Sequence, residues 1–155
     1  MSEHIVEVIW QRGEQVFTDR HYSRKHILKF DGGLEVPASS SPGIVPLPYS
    51  DATAVDPEEL LLAALSNCHM LWFLDLAARA GFVVDTYEDR ISGVMGKNAH
   101  GKIFLAKAAL HPVTAFAGNK KPTQQELEAL HHRAHEECFI ANSVLTEITC
   151  APVLK

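Results

Sequence analysis

The chain of 155 residues has room for one domain of ordinary size, and its 46% hydrophobic and 21% charged residues place it outside the disordered and fibrous classes. Nineteen acidic against fourteen basic side chains give a formal net charge of -5. That is the wrong sign for non-specific attraction to a phosphate backbone, so nucleic acid is not an expected partner. The opening stretch MSEHIVEVIW lacks the basic segment and continuous apolar core of a secretory leader. The apolar window from Leu60 to Leu74, interrupted by Ser66, Asn67 and His69, reads as too short and too polar for a membrane span. A cytoplasmic protein is expected. Three cysteines, Cys68, Cys138 and Cys150, are an odd number at wide spacing without a CxxC, unlike the disulfide framework of a small secreted domain.

In chain order, His4 to Trp10 alternates as a half-buried strand, with Val6, Val8 and Trp10 on one face and Ile5, Glu7 and Ile9 on the other. A turn at Gly13 leads to further strand candidates at Gln15 to Thr18 and His26 to Phe30, which read as a meander. From Asp31 to Val55, DGG, SSSPG and the prolines Pro37, Pro42, Pro46 and Pro48 predict a long irregular loop, a type that commonly carries function or forms a lid. A helix then starts sharply, with Asp56 as cap, Pro57 at the first helical position and Glu59 completing a capping box, and Gly81 stops it. It is apolar on nearly all sides and therefore expected to be enclosed, by its own chain or by a partner subunit. Phe82 to Met95 reads as extended, the GKNAHG of Gly96 to Gly101 as a turn, and Lys102 to Phe116 as the returning strand, edge-placed or bulged near Pro112. Thr123 and Glu126 announce a second capping box and an amphipathic helix through QQELEALHHRAHEECFIA. Ser143 to Val153 alternates as a closing strand. Strands, helix, two strands, helix, strand is the order of an α+β protein with a mainly antiparallel sheet, in a single domain over residues 1–155.

The motifs of nucleotide binding, serine hydrolysis and zincin chemistry are absent. What remains polar in apolar settings is Cys68, followed by His69, in the first helix, and Cys138 late in the second. A cysteine in mid-helix gains little from the helix dipole, and burial among Ala64, Leu65, Leu71 and Trp72 would leave it inert. A reactive Cys68 therefore needs a cation from elsewhere, and Arg20 and Arg24 in RHYSRKH are the candidates because arginine stays charged in an apolar pocket. His69, about 100° around the helix from Cys68, is read as packing with one nitrogen satisfied or as a residue near the site. His131, His135 and Cys138 share a face of the second helix at i, i+4 and i+7 and could ligate zinc, but they lack a fourth ligand at a recognisable spacing.

DPEELLLAALSNCH around Cys68 and HHRAHEECFIANS around Cys138 resemble the two cysteine motifs of the OsmC/Ohr family of thiol-dependent peroxidases, particularly its OsmC-like branch. The resemblance extends to YSRKH, FDGG, the GKN turn and the closing strand. It implies an intertwined homodimer with strand-rich layers around long central helices, the first of them enclosed, and active sites drawing on both subunits. It implies a peroxidatic Cys68, a resolving Cys138, and Glu58 as the family glutamate ten positions before Cys68. It implies Arg24, in the YSR pattern, as the partner arginine in preference to Arg20. The expected substrates are small organic hydroperoxides, the expected reductant is a small or lipoyl-linked dithiol, and no cofactor, metal or membrane is implied. The lengthened loop between Phe30 and Asp56 departs from the family pattern, and Cys150 has no counterpart among the family's catalytic residues.

Ten residues of straight helix rise about 15 Å, so Glu58 cannot touch Cys68 of the same helix. An Arg24 and Glu58 pair meeting Cys68 of the other subunit is the arrangement the dimer allows. Two other readings stand beside this one: a metal-binding protein using His131, His135 and Cys138, and a non-catalytic dimeric module in which the cysteines only pack.

Overall fold

An antiparallel three-stranded sheet opens the computed structural model, which describes residues 3–155. Met1 and Ser2, at the head of the stretch read for a leader, lie outside the described residues. The chain divides into two compact units, the first ending at Leu60 and the second running Leu61–Lys155.

In the first unit, β1 (Val6–Ile9) pairs with β2 (His26–Phe30), and β2 pairs with β3 (Glu35–Ala38). The strand expected at Gln15 to Thr18 does not form. Gln15 is turned back locally instead: its side-chain amide donates to the Arg12 carbonyl at 2.8 Å, and its side-chain oxygen accepts the Ser23 N–H at 2.6 Å. The segment expected to be wholly irregular contains β3, because Pro37 sits on an edge strand where a missing N–H is tolerated. The rest of that segment is tied down. Asp51 pairs with Lys25 at 2.9 Å and donates its N–H to Ser39 Oγ at 3.0 Å, and Val55 bridges to Ala38.

The first helix, α1 (Pro57–Arg79), begins in the expected capping box: Glu59 N–H donates to Asp56 Oδ1 at 2.8 Å, and Asp56 N–H donates to Glu59 Oε2 at 3.2 Å. It ends where Gly81, at φ +77°, takes the left-handed conformation and the N–H groups of Gly81 and Phe82 cap the carbonyls of Ala78 and Ala77.

In the second unit each of the two extended stretches splits into strands of different sheets. The first gives β4 (Val83–Asp89) and β5 (Ser92–Lys97); the second gives β6 (Ile103–Leu110) and β7 (Pro112–Ala117). The chain changes sheet at Arg90–Ile91 and at His111, and Asp89 ties the two switches together by accepting the His111 N–H at 2.7 Å. The second helix, α2 (Gln124–Glu137), starts at the Thr123 and Glu126 capping box and ends about one turn sooner than its sequence suggests, with Cys138 as C-cap and a 3₁₀ turn at Ala141–Ser143. The closing strand is interrupted at Ala151–Pro152, so β8 (Glu147–Cys150) joins one sheet, in the order β5-β6-β8, and β9 (Val153–Leu154) joins the other, β4-β7-β9. Four of the six strand pairings are antiparallel, while β8 and β9 add parallel to β6 and β7. The α+β expectation with a mainly antiparallel sheet is met.

The core of this unit joins Phe73, Leu76 and Ala77 of α1 to Phe82, Phe116 and the α2 residues Leu127, Leu130 and Ala134. Enclosure of α1 is only partial in one chain. Its buried residues, Leu65, His69, Phe73, Leu76 and Ala77, form one stripe, and Leu71 stays 57% exposed. At 23 residues with mean hydropathy 1.5 in its most apolar window, α1 is long and apolar enough to cross a membrane, which corrects the shorter and more polar window read from sequence. Core helices meet the same criterion, and α1 supplies three core residues.

Leu127→Ala should cost about 2–5 kcal/mol, because a fully buried side chain is removed from the α1–α2 contact, and Thr123→Ala about 1 kcal/mol through loss of the cap. Urea unfolding checks both; equal small effects would contradict the core assignment.

Candidate active site

Helix α1 presents Cys68 half-buried, one position from the His69 that lies in its buried stripe. Cys138 is 1% exposed at the C-terminus of α2. The Cys68 side chain neighbours the Cys138 thiol closely enough to act on it. Burial first, and then the Cys68 side chain, push the Cys138 thiol up to about 11. Its sulfur also accepts the Ala141 N–H at 3.4 Å, and Asn142 holds the turn by donating its side-chain amide to the carbonyls of Glu136 and Cys138. Cys138 therefore keeps its proton at neutral pH.

The cysteines of the two helix motifs, Cys68 and Cys138, are thus brought together. The proposed zinc trio is not. Among the described residues the group able to surround a metal is His69, His131 and Cys150, without His135 and Cys138. His69 Nε2 lies 2.9 Å from His131 Nδ1, and Cys150 Sγ lies 3.9 Å from the same His69 nitrogen. The His131 ring stacks on Phe73 with centroids 4.1 Å apart, while its Nε2 is buried without a hydrogen-bond partner. Desolvation lowers His69 to about 4 and His131 to about 3, so both rings are neutral near pH 7, and burial with the nearby Asp89 charge pushes the Cys150 thiol up to about 12. Sequence reasoning missed this cluster because its members come from α1, α2 and β8; the one local signal is a histidine placed in an apolar helix stripe.

In the first unit, Arg24 and Glu58 line one cavity of about 410 Å³ whose walls include Val8, Trp10, Phe17 and Tyr22. The Arg24 guanidinium lies over the Tyr22 ring at 3.9 Å from its centroid and donates to the carbonyls of Arg20, at 2.9 Å, and of Tyr22. Trp10, Phe17 and Tyr22 pack on one another, and Trp10 Nε1–H donates to the Ser23 carbonyl at 2.8 Å. Arg20 has φ 65° and contributes its carbonyl to Arg24 rather than its side chain to the cavity lining. Among the described residues no ion pair joins Arg24 to Glu58, so carbonyls and an aromatic face orient the arginine here.

The sequence profile described as OsmC-like protein matches residues 50–152, a span that includes Cys68 and Cys138. The chain belongs to the OsmC-like family. It is 50% identical to an OsmC-like protein of unknown function from Vibrio cholerae, with a TM-score of 0.96 over 99% of this chain and 100% of that one. An organic hydroperoxide resistance protein from Elizabethkingia anophelis shares the OsmC-like fold at 18% identity, with a TM-score of 0.72 over 100% and 96% of the two chains. The organic hydroperoxide resistance protein of Bacillus subtilis shares it at 16% identity, with a TM-score of 0.60 over 99% and 98%. No curated protein matches the sequence.

The two buried histidines make a pH prediction. Their folded pKa values lie below the unfolded value of 6.5, so below that pH the unfolded chain binds more protons than the native one. Their contribution is whole above pH 6.5 and is lost as the pH falls toward 4. The urea midpoint should therefore drop across this window, with a loss of about 1 kcal/mol or more per pH unit. A midpoint constant from pH 7 to 4.5 would contradict neutral, buried imidazoles.

Proposed function

We propose that the protein is a thiol-dependent peroxidase that reduces small organic hydroperoxides to alcohols, with Cys68 as peroxidatic and Cys138 as resolving cysteine. The observation that carries this reading is the juxtaposition of the two thiols, the Cys68 side chain of α1 acting directly on the buried Cys138 thiol at the end of α2. The Cys68 thiolate attacks the distal peroxide oxygen, the O–O bond breaks, and the alkoxide leaves as alcohol after taking a proton, leaving Cys68 sulfenic acid. Cys138 gives up its proton and attacks that sulfur, expelling water and forming the Cys68–Cys138 disulfide. An external dithiol, small or lipoyl-linked, exchanges with the disulfide, is itself oxidised, and returns both thiols.

Arg24 is proposed to supply the positive charge at the reacting oxygens, with Glu58 beside it, and the aromatic walls of its cavity suit an organic tail better than hydrogen peroxide. Because Glu58 and Cys68 are ten positions apart along α1, the pairing is proposed to occur between subunits of an intertwined homodimer, each an OsmC-like domain over residues 1–155. Exposed apolar side chains support a partner surface: all four residues of β1 are exposed, and Val8 (68%) and Leu71 (57%) are open in the single chain. We read the protein as cytoplasmic, acting without cofactor, membrane or nucleic acid.

Steady-state reduction of an alkyl hydroperoxide with a dithiol tests the assignment. Cys68→Ser should abolish turnover, and Cys138→Ser should retain one rapid turnover and then stall. Arg24→Met should lower kcat/KM by about a hundredfold or more, on the scale of other preorganised charge contacts. Turnover by Cys68→Ser at the parent rate would refute the mechanism. Light scattering giving the mass of a single chain at micromolar concentration would refute the dimer.

A further inference from the structure

His69, His131 and Cys150 have no part in the chemistry above. We propose that they form a binding site for one Zn²⁺ ion, held by the Cys150 thiolate and the two imidazoles. Their ligating atoms all lie within 4.8 Å of one another. Tetrahedral zinc, with bonds of about 2.0 Å to nitrogen and 2.3 Å to sulfur, needs ligand atoms separated by roughly 3.3–3.8 Å. The distances of 2.9 Å between the two histidine nitrogens and 3.9 Å from nitrogen to sulfur fall on either side of that range and the third separation is at most 4.8 Å, so an ion requires side-chain adjustments of up to about 1 Å.

The rings are already fixed. His69 and His131 are each 2% exposed, they stack with centroids 5.2 Å apart, and Phe73 covers His131. Without an ion, the pair shares one hydrogen bond and leaves His131 Nε2 buried and unpartnered, a polar cost in the middle of a core. Coordination through His69 Nε2 and His131 Nδ1 would replace the hydrogen bond that these two atoms share.

Access and charge favour the same ligand. A cavity of about 350 Å³, lined by Glu128, His131, His132, His135, Ile148 and Cys150, reaches two of the three ligands from outside. It gives the ion an entry path and leaves room for water as a fourth ligand, the composition of an open rather than a closed zinc site. The Asp89 charge that opposes a thiolate at Cys150 attracts a dication. Two histidines and one thiolate select a borderline-soft ion over Mg²⁺ or Ca²⁺, which take oxygen ligands. Binding Cys150 as a thiolate displaces its thiol proton.

The test uses the full chain carrying Cys68→Ser and Cys138→Ser, in which Cys150 is the one remaining thiol. Zn²⁺ alone, in competition with a chromophoric chelator, should bind at one ion per chain with release of one proton. Co²⁺ in its place should give the sulfur-to-metal charge-transfer band and the intense visible bands of a tetrahedral site. Adding Cys150→Ala should remove the charge-transfer band and weaken Zn²⁺ binding by about a hundredfold, and His69→Gln should weaken it by about tenfold or more while keeping that band. Circular dichroism reports whether each variant is folded; if Cys150→Ala is not, the cobalt spectrum of the otherwise intact chain decides. Absence of stoichiometric binding, a cobalt spectrum without the sulfur band, or folded Cys150→Ala binding zinc as its parent does would each overturn the site, the last by assigning the ion to the surface histidines.

Discussion

Burial of one apolar stripe of α1 against one stripe of α2 is the constraint from which the chemistry of the second unit follows. Phe73, Leu76 and Ala77 meet Leu127, Leu130 and Ala134, and each large side chain so enclosed contributes about 1.5–3 kcal/mol through loss of water contact. Once the helices are held by these residues, the polar positions along the same stripes have no freedom of partner. His69 must face His131, while Cys68, beside that stripe, meets Cys138 at the C-cap of α2. The polar contacts stand at defined places because an apolar core sets the helices in register.

Low polarity then assigns proton positions. Burial opposes charge of either sign, so it lowers the histidines and raises the thiols of Cys138 and Cys150. A thiol that retains its proton is a hydrogen-bond donor rather than an anion. The first unit treats its cation differently. Arg24 cannot be neutralised by burial, and its guanidinium is satisfied by carbonyls and an aromatic face inside a cavity with mostly apolar walls. A fixed positive charge in such a setting acts more strongly on a bound anion than it would in water.

Local signals in the sequence carried much of this. Both helix starts were readable because Asp56 with Glu59, and Thr123 with Glu126, satisfy backbone groups within four residues, and Gly81 marked the end of α1 for the same local reason. The cysteines of the two helix motifs were readable as a pair through family resemblance. Contacts set by tertiary structure were not. Nothing near Pro37 announces that β2 will accept it as an edge partner, and nothing near Asp89 announces that it will hold the points where two long extended stretches change sheet. Cys150 looked like an ordinary strand cysteine because its two histidines lie 19 and 81 residues away, the second separation being that of its contact with His69. The trio on α2 was suggested by helical spacing alone, and the end of α2 at Glu137 moved Cys138 out of that spacing into a cap, where it meets Cys68.

The central claim is that Cys68 and Cys138 are a redox pair set by the contact between α1 and α2. Peptide mapping by mass spectrometry under non-reducing conditions, after one equivalent of an alkyl hydroperoxide, tests it most directly. The account predicts loss of two hydrogens per chain and a single cross-linked species joining the peptides of Cys68 and Cys138, with Cys150 recovered as free thiol. A disulfide joining Cys68 to Cys150, or oxidation of Cys68 without any cross-link in the unmutated protein, would contradict it.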